Sequence, residues 1–279
     1  MLKKNTIFTL QQNSSLNIFE TNILLKYVTK LSEVELIINH EKELHKQEIN
    51  ILNKLIQRRV LGEPIAYIIG KKEFYGLVLN ITSDVFIPRP ETELLVDLII
   101  KKNFEKKIKL LEIGTGSGAI AIAIAVYSKN KIEIIATDIN EYSLKIAKKN
   151  AQKKLTKYNI PIKFIKSNWY NNLQNYKKLF NIIVSNPPYI SKGDIHLNKG
   201  DLRFEPIKAL TDYSDGLSSI KEIIKNASKY LVNDGLLLIE HGYNQSNLVR
   251  KLFFQYGFNN IKSWRDLSGI ERVTQGRIS

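Results

Sequence analysis

Glu112-Ile113-Gly114-Thr115-Gly116-Ser117-Gly118 closes the apolar run Ile108 to Ile113 and opens a second apolar stretch, Ser117 to Ser128. A short strand that ends in glycines and leads straight into a helix is the opening of a nucleotide-binding α/β unit. Glycine lets the backbone turn tightly and approach a ligand with no Cβ in the way. Outward from this stretch the alternation continues. A strand at Ile132 to Ala136 ends at Asp138, a lysine-faced helix covers Glu141 to Lys154, and strands follow at Ile162 to Ile165 and Phe180 to Val184. A helix at Gly216 to Tyr230, a strand at Leu236 to Glu240, a helix at Gln245 to Tyr256 and two closing strands near Ile261 and Val273 complete the series. The pattern predicts an α/β fold: a mostly parallel sheet with helices on both faces and ligands bound at the carboxyl ends of its strands.

Asp138 stands 24 residues beyond Gly114, at the end of the next strand. A carboxylate there accepts hydrogen bonds from both hydroxyls of an adenosine ribose; the competing reading is a cap on the helix that begins near Glu141. The loop reads Gly-x-Gly-x-Gly, whereas a dinucleotide site usually reads Gly-x-Gly-x-x-Gly to face a pyrophosphate. This spacing looks like that of class I S-adenosylmethionine methyltransferases, whose cofactor has no pyrophosphate. Glu112 is expected to orient the loop or the cofactor's ammonium group, the competing reading being a carboxylate simply solvated at the strand end.

Asn186-Pro187-Pro188-Tyr189 directly follows the strand Ile182-Ile183-Val184. Two prolines remove two backbone donors and fix φ at both positions, making a rigid protrusion at the ligand edge of the sheet. An amide or aromatic amine nitrogen is a poor nucleophile because its lone pair is delocalised. Acceptors for both of its N–H groups draw the lone pair toward sp³ character and aim it. The Asn186 side-chain oxygen and the Pro187 carbonyl supply two acceptors, and Tyr189 offers a flat surface for a planar group. Asn186, Pro187 and Tyr189 are therefore the candidate catalytic residues for N-methylation. Adenine, guanine N2 and a glutamine amide all remain compatible substrates.

Residues 1 to about 85 read as a separate, mostly helical unit, with apolar residues at helical spacing in Leu16 to Leu31 and through Ile49, Leu52, Leu55, Ile56 and Val60. Gly62-Glu63-Pro64 stops the second helix. Glu73 to Ile81 reads as a hairpin or connector, Pro88-Arg89-Pro90 as a stiff hinge at about residue 90, and residues 86–279 as the catalytic domain. The net charge is +15, of which residues 1–85 carry +2 and residues 86–279 carry +13. Eleven lysines and no acidic residue lie between Glu141 and Asp194. That imbalance suits a polyanionic partner, but 34 Lys to 8 Arg is also what an AT-rich genome writes, and phosphate recognition favours arginine. With no cysteine, thiolate metal sites, iron–sulfur clusters and cysteine nucleophiles are excluded. No metal site is expected. No apolar run approaches the roughly 20 residues of a membrane span, and the first residues lack the apolar core of a signal peptide, so a cytoplasmic protein is expected.

Over nearly its whole length the chain resembles the bacterial release-factor glutamine methyltransferase (PrmC/HemK) family. The resemblance is carried by Gly62-Glu63-Pro64-Ile65-Ala66-Tyr67, Glu73-Phe74-Tyr75, Phe86-Ile87-Pro88-Arg89-Pro90-Glu91-Thr92-Glu93, the glycine loop, Ser167-Asn168-Trp169-Tyr170 and Asn186 to Tyr189. Gly200-Asp201-Leu202-Arg203-Phe204-Glu205-Pro206, Glu240-His241-Gly242 and Glu271-Arg272-Val273 extend it. It implies a class I, Rossmann-like catalytic domain with a mostly parallel seven-stranded sheet and a small helical N-terminal domain that helps hold a release factor. It implies methyl transfer from S-adenosyl-L-methionine, with S-adenosyl-L-homocysteine as product, to N5 of the glutamine in the Gly-Gly-Gln motif of class I peptide chain release factors. By the same resemblance Gly114, Thr115, Gly116, Ser117 and Gly118 line the methionine part of the cofactor, Asp138 holds the ribose, Trp169 covers the adenine, a tryptophan that only packs in the core being the alternative, and Asn186 borders the cofactor as well as the substrate. Asn186, Pro187, Pro188 and Tyr189 hold the substrate glutamine. Arg89 anchors either the substrate loop or the interdomain geometry, and Arg203 and Glu205 order the cover over the site or form a structural ion pair. Asn168 departs from the family's Asp. His241 is expected to be structural. The family implies a monomer with no stable nucleic-acid binding. A ribosomal-protein glutamine methyltransferase and an adenine-N6 nucleic-acid methyltransferase are the competing assignments; the lack of a target-recognition insert after the motif argues against the second.

Overall fold

The computed structural model describes residues 5–102, 104–128, 132–156 and 161–279. The first four residues, part of the segment in which no export signal is expected, and Lys157 of the basic run lie outside them. Contacts divide the chain into two compact units, residues 1–70 and 71–279.

The first unit holds five helices: α1 (Ile7–Gln12), α2 (Ile18–Thr29), α3 (Glu33–Ile38), α4 (Lys46–Val60) and α5 (Ile65–Ile69). Their starts are written in side chains. Thr6, Asn17 and Ser32 each accept a first-turn backbone N–H, and Ser32 and Glu35 form a reciprocal capping box. The apolar faces close on Ile7, Leu24, Leu25, Leu36, Leu44, Leu52, Leu55 and Ile68. The spacing that predicts α2 and α4 holds. The shorter α1, α3 and α5 have too few turns to display a period and were not foreseen.

In the second unit the hairpin β1 (Lys71–Phe74) and β2 (Leu77–Asn80) precedes α6 (Glu93–Ile100), and then the alternation begins. Its elements are β3 (Ile108–Ile113), α7 (Ala119–Tyr127), β4 (Ile132–Asp138), α8 (Glu141–Leu155), β5 (Ile162–Lys166), β6 (Phe180–Ser185), α9 (Ile207–Leu210), α10 (Ser218–Ala227), β7 (Leu231–Glu240), α11 (Ser246–Gln255), β8 (Phe258–Arg265) and β9 (Glu271–Ile278). The seven-stranded sheet has the order β5-β4-β3-β6-β7-β9-β8, parallel from β5 to β7, with β9 antiparallel between β7 and β8. This is the expected architecture. Its strand order reverses between β3 and β6, and a crevice opens at such a switch point. On one face Leu111, Ile113, Ile183, Leu237 and Ile239 pack with Ile220, Ile223 and Ile224 of α10 and Val249 and Phe253 of α11. The intervening residues Leu110, Ile134, Ile182, Leu236 and Leu238 are buried too, and α7 and α8 pack on β4.

The sequence reading ends the helical unit near residue 85, whereas the contacts divide the chain at Gly70 and Lys71. Asn150, a buried residue of α8, is one tie between the hairpin and the sheet. Its Oδ1 accepts from Asn80 N and Nδ2, each at 2.8 Å, and its Nδ2 donates to Asn80 O and Ser117 O, each at 3.0 Å. One side chain thus ties the hairpin to the sheet domain and to the loop before α7. Asn150→Leu would leave buried amide and carbonyl groups without partners and should lower the unfolding free energy by about 2–4 kcal/mol, read as the urea midpoint of the full chain.

Candidate functional site

The crevice is built by register. Ile113 pairs with Thr137 on one side and with Ser185 on the other, so the chain leaves the sheet at one level into Gly114, Asp138 and Asn186. Gly114 N and Thr115 N both donate to Thr137 O, at 2.9 and 2.8 Å, which folds the loop across the end of β4. Gly114 and Gly116 have φ of +75° and +54°, and a Cβ at either would meet no atom within 4 Å. The loop therefore presents bare backbone to open space, the cradle a small ligand needs.

Glu112 lies fully buried behind this loop. Its Oε2 accepts from Thr115 Oγ1 (2.7 Å) and Ala121 N (3.1 Å), while Oε1 has no partner among the described residues. Burial pushes its pKa up to about 8, against the pull of these two donors. Of its two candidate roles, the contacts fit loop support. Asp138 Oδ2 accepts from Gly116 N (2.8 Å) and Oδ1 from Asn140 N (2.8 Å). Burial raises its pKa, with the backbone donors opposing. The cap of α8 is Asn140, whose side chain accepts from Tyr142 N. Each Asp138 oxygen, holding one such backbone donor, keeps further acceptor capacity.

Trp169 is half-buried against the α10 side of the core and has φ of +48°. A left-handed backbone costs a bulky residue about 1–2 kcal/mol. Ser167 holds it there: its Oγ donates to Trp169 O (2.8 Å) and its N to Asp138 O (2.9 Å). The neighbouring Asn168 is exposed.

Pro187 is buried, and Pro188 and Tyr189 are partly so. Asn186 Nδ2 donates to Thr92 Oγ1 at 3.1 Å, across 94 residues of sequence. The Tyr189 hydroxyl donates to Glu240 Oε1 at 3.2 Å, and its backbone O accepts from Gln245 Nε2 at 3.0 Å. Burial, with the Glu240 carboxyl alongside, raises the Tyr189 pKa far out of reach of titration. Gly216, at φ +83°, passes so close that a Cβ would sit 2.5 Å from Tyr189 O and 2.9 Å from Gln245 Nε2. Asp212 shapes that turn by accepting from Ser214 N, Gly216 N and Ser218 N.

Arg89 forms an ion pair with Glu205, whose other oxygen accepts from Ile87 N at 3.0 Å. Its guanidinium also lies over the Phe86 ring. These contacts staple the segment before α6 to the segment after Tyr189. The Arg203 guanidinium lies over the Phe204 ring. His241 is fully buried, with Nδ1 against Gly242 O (3.0 Å) and Nε2 against Thr274 Oγ1 (2.9 Å), and burial lowers its pKa. Both ring nitrogens are engaged, as a structural residue requires. Thr92, Asn150, Gly216 and Glu240 escaped notice as contributors because each acts on a partner remote in sequence. Among the described residues no cluster of acidic and histidine side chains could hold a metal, and no helix is long and apolar enough to cross a membrane.

Residues 4–70 match the PrmC N-terminal domain family and residues 90–201 the methyltransferase small domain family. The release factor glutamine methyltransferase of Buchnera aphidicola subsp. Acyrthosiphon pisum is 46% identical over 259 residues, 93% of this chain and 91% of that protein. The one from Neisseria gonorrhoeae is 39% identical over 264 residues, 95% and 94% respectively. Among solved structures, the hMettl16 catalytic domain in complex with MAT2A 3'UTR hairpin 6 is similar with a TM-score of 0.56 at 16% identity, covering 84% of this chain and 82% of that one. A methyltransferase from Pyrococcus furiosus gives 0.51 at 19%, with 79% and 95% covered. Identities this low speak to the fold alone.

Glu112 carries a proton in the folded state across the window from 4.5, its ordinary value, to about 8. The folded state binds more protons than the unfolded one there, so this group's stabilising contribution is complete below 4.5 and falls as pH rises through the window. Urea midpoints taken between pH 5 and 8.5 should decline in the wild type and decline less in Glu112→Gln, which stays neutral throughout.

Proposed function

This chain belongs to the release factor glutamine methyltransferase family, and from that membership we propose that it transfers a methyl group from S-adenosyl-L-methionine to N5 of the glutamine in the Gly-Gly-Gln motif of class I release factors. The observation that carries the reading is Asn186 at the mouth of the crevice, with its Nδ2 committed to Thr92. Its Oδ1 is thereby turned outward as an acceptor for a substrate N–H.

The crevice fits the cofactor. Gly114 and Gly116 leave open space where side chains would stand, and Asp138 keeps acceptor capacity at the end of β4. Gly114 to Gly118 would hold the methionine part, Asp138 the ribose hydroxyls and Trp169 the adenine, with Asn186 at the border of cofactor and substrate. When bound, S-adenosyl-L-methionine supplies an electrophilic methyl group and leaves as S-adenosyl-L-homocysteine. Asn186 Oδ1 and the Pro187 carbonyl accept the two N–H groups of the substrate amide, drawing its lone pair out of conjugation and aiming it. Tyr189, fixed by Glu240 below and Gln245 behind, packs on the planar amide. Pro188 stiffens the turn. Arg89, held by Glu205, keeps its place in the wall near the substrate loop. No side chain has to remove a proton, because the amide proton becomes acidic once the nitrogen is alkylated and passes to water. His241, with both ring nitrogens engaged, is left out of the step.

The partner is a class I release factor, met in the cytoplasm by an enzyme that acts as a monomer and makes no stable complex with nucleic acid. The test is to incubate the full chain with labelled cofactor and, separately, release factor, ribosomal protein and DNA. Label should appear on the Gly-Gly-Gln peptide; label on either other substrate and none on that peptide sinks the assignment. Asn186→Ala should lower transfer by about 10²–10³-fold, the scale of losing one preorganised polar contact to the reacting group, while cofactor affinity stays within a few-fold. Asp138→Ala should do the reverse, weakening cofactor binding first. Gly216→Ala, which pushes on the Tyr189 carbonyl, should lower kcat and leave cofactor affinity intact.

A further inference from the structure

Three turns, the one after β6, the one before α10 and the one after β7, meet at a single buried side chain. Gln245, just before α11, accepts from Gly242 N through Oε1 at 2.8 Å, and its Nε2 donates to Tyr189 O at 3.0 Å and to Gly216 O at 3.1 Å. Both amide protons are used, each on a carbonyl. The direction of this carboxamide is therefore imposed, because turned over it would set its nitrogen against an N–H and its oxygen against two carbonyls. Gln245 occupies the N-cap position of α11, yet its side chain makes no capping bond, where a Ser, Thr, Asp or Asn would supply one. The amide is spent on the turns instead.

The surroundings are cut to this amide. A Cβ on Gly216 would stand 2.9 Å from Nε2, and one on Gly242 would stand 3.0 Å from Oε1. Gly242 is held in its turn, since its carbonyl accepts from Gln245 N at 3.1 Å and faces His241 Nδ1 at 3.0 Å. A carbonyl can only accept, so Nδ1 carries the ring proton and Nε2 takes the Thr274 hydroxyl. The Glu240-His241-Gly242 turn thus ends on Gln245, and Gln245 ends on Tyr189.

We propose that Gln245 is a positioning residue for methyl transfer, locking the turns of Tyr189, Gly216 and Gly242 into one frame that keeps Asn186 and Pro187 aimed at the substrate amide. The inference rests on the role given above to the Asn186 to Tyr189 turn. That turn needs a hold from outside: two of its four residues are prolines without an N–H, which leaves it few donors with which to bond to itself. Gln245 acts through the Tyr189 carbonyl, two residues beyond the Pro187 carbonyl that takes a substrate N–H. A small displacement there misaligns the reacting nitrogen, and misalignment costs rate more than affinity.

The test uses the full-length wild type, Gln245→Met, which keeps the bulk and makes none of the three bonds, and Gln245→Glu, which keeps the size and the contact to Gly242 N. With saturating cofactor and release factor, Gln245→Met should lower kcat per folded molecule about tenfold to a hundredfold, the rate equivalent of losing one or two orienting hydrogen bonds. Its KM for the release factor and its cofactor affinity should stay within a few-fold. In Gln245→Glu the buried carboxyl keeps its proton at about pH 6 and donates to one carbonyl, whereas at about pH 9 it is ionised and faces two of them. Its kcat relative to wild type should fall across that interval, while the ratio for Gln245→Met stays flat. Tyr189, Asp212, Asp215, Glu240 and His241, the other titratable groups on the three turns, are common to all three proteins, so the ratio cancels them. Gln245→Glu also carries the test where Gln245→Met does not fold.

A second readout needs no substrate. In chains labelled with ¹³C at tyrosine carbonyls and ¹⁵N at isoleucine, only the Tyr67–Ile68 and Tyr189–Ile190 peptides carry both labels. The Tyr189 carbonyl signal should move in Gln245→Met and titrate in Gln245→Glu, with the Tyr67 signal unchanged. Wild-type kcat in folded Gln245→Met, a loss confined to KM, a pH-independent ratio in Gln245→Glu, or an unmoved Tyr189 signal would each overturn the proposal. If the wild type labels ribosomal protein or DNA and not release factor, the assigned substrate falls, and the same kcat comparison is read on the substrate that takes label.

Discussion

Everything at the site depends on one piece of parallel register. Strand β3 is hydrogen-bonded between β4 and β6 so that Ile113, Thr137 and Ser185 lie side by side. The residue after each is Gly114, Asp138 or Asn186, and the three segments of the candidate site leave the sheet at one height. Side chains along a strand alternate faces, so a slip of one residue in either pairing would turn buried apolar positions toward the wrong layer. The hydrophobic layers on both faces of β3 therefore guard the geometry of the site, and Trp169 and Tyr189 rest directly on one of them. Two bonds reinforce the alignment where it matters: Ser185 Oγ donates to Ile113 O, and Thr137 Oγ1 to Glu112 O.

The alternation of strands and helices and the two motifs at strand ends were legible in the chain, because both signals are local. A glycine loop after an apolar run, or Asn-Pro-Pro-Tyr after another, declares its place within a dozen residues. What could not be read was the support. Thr92 meets Asn186 across 94 residues, Tyr189 meets Glu240 across 51, and Asn80 meets Asn150 across 70. Nothing in the identity of a threonine or an asparagine announces such a partner. The closing hairpin was foreseen as two strands, but its insertion of β9 between β7 and β8 is a matter of topology that local pattern does not carry. Glu240 was seen only as part of a matching tripeptide, and its placement gives it a reason to be there.

The charge also acquires a place. Lys145, Lys148, Lys149 and Lys153 occupy the wet face of α8, opposite the buried Leu144, Ala147, Ala151 and Leu155. Lys163 and Lys166 stand exposed on β5, the outer strand of the sheet. Lysines on an edge strand discourage pairing with another chain. The crevice itself carries the carboxyl of Asp138, whereas Glu112 behind its loop stays protonated up to about 8. Six of the eleven lysines of the basic run thus belong to a helix surface and a sheet edge.

Asn150 bears on where this protein may be cut. A boundary drawn by composition, near residue 85, would discard Asn80 and leave Asn150 holding only the loop at Ser117. A boundary drawn before Lys71 would keep the hairpin and all four of its bonds. For grafting the sheet domain onto another module, the hairpin is inseparable cargo. Its sequence looks like a linker, and its far end is anchored in the wall of the cofactor crevice.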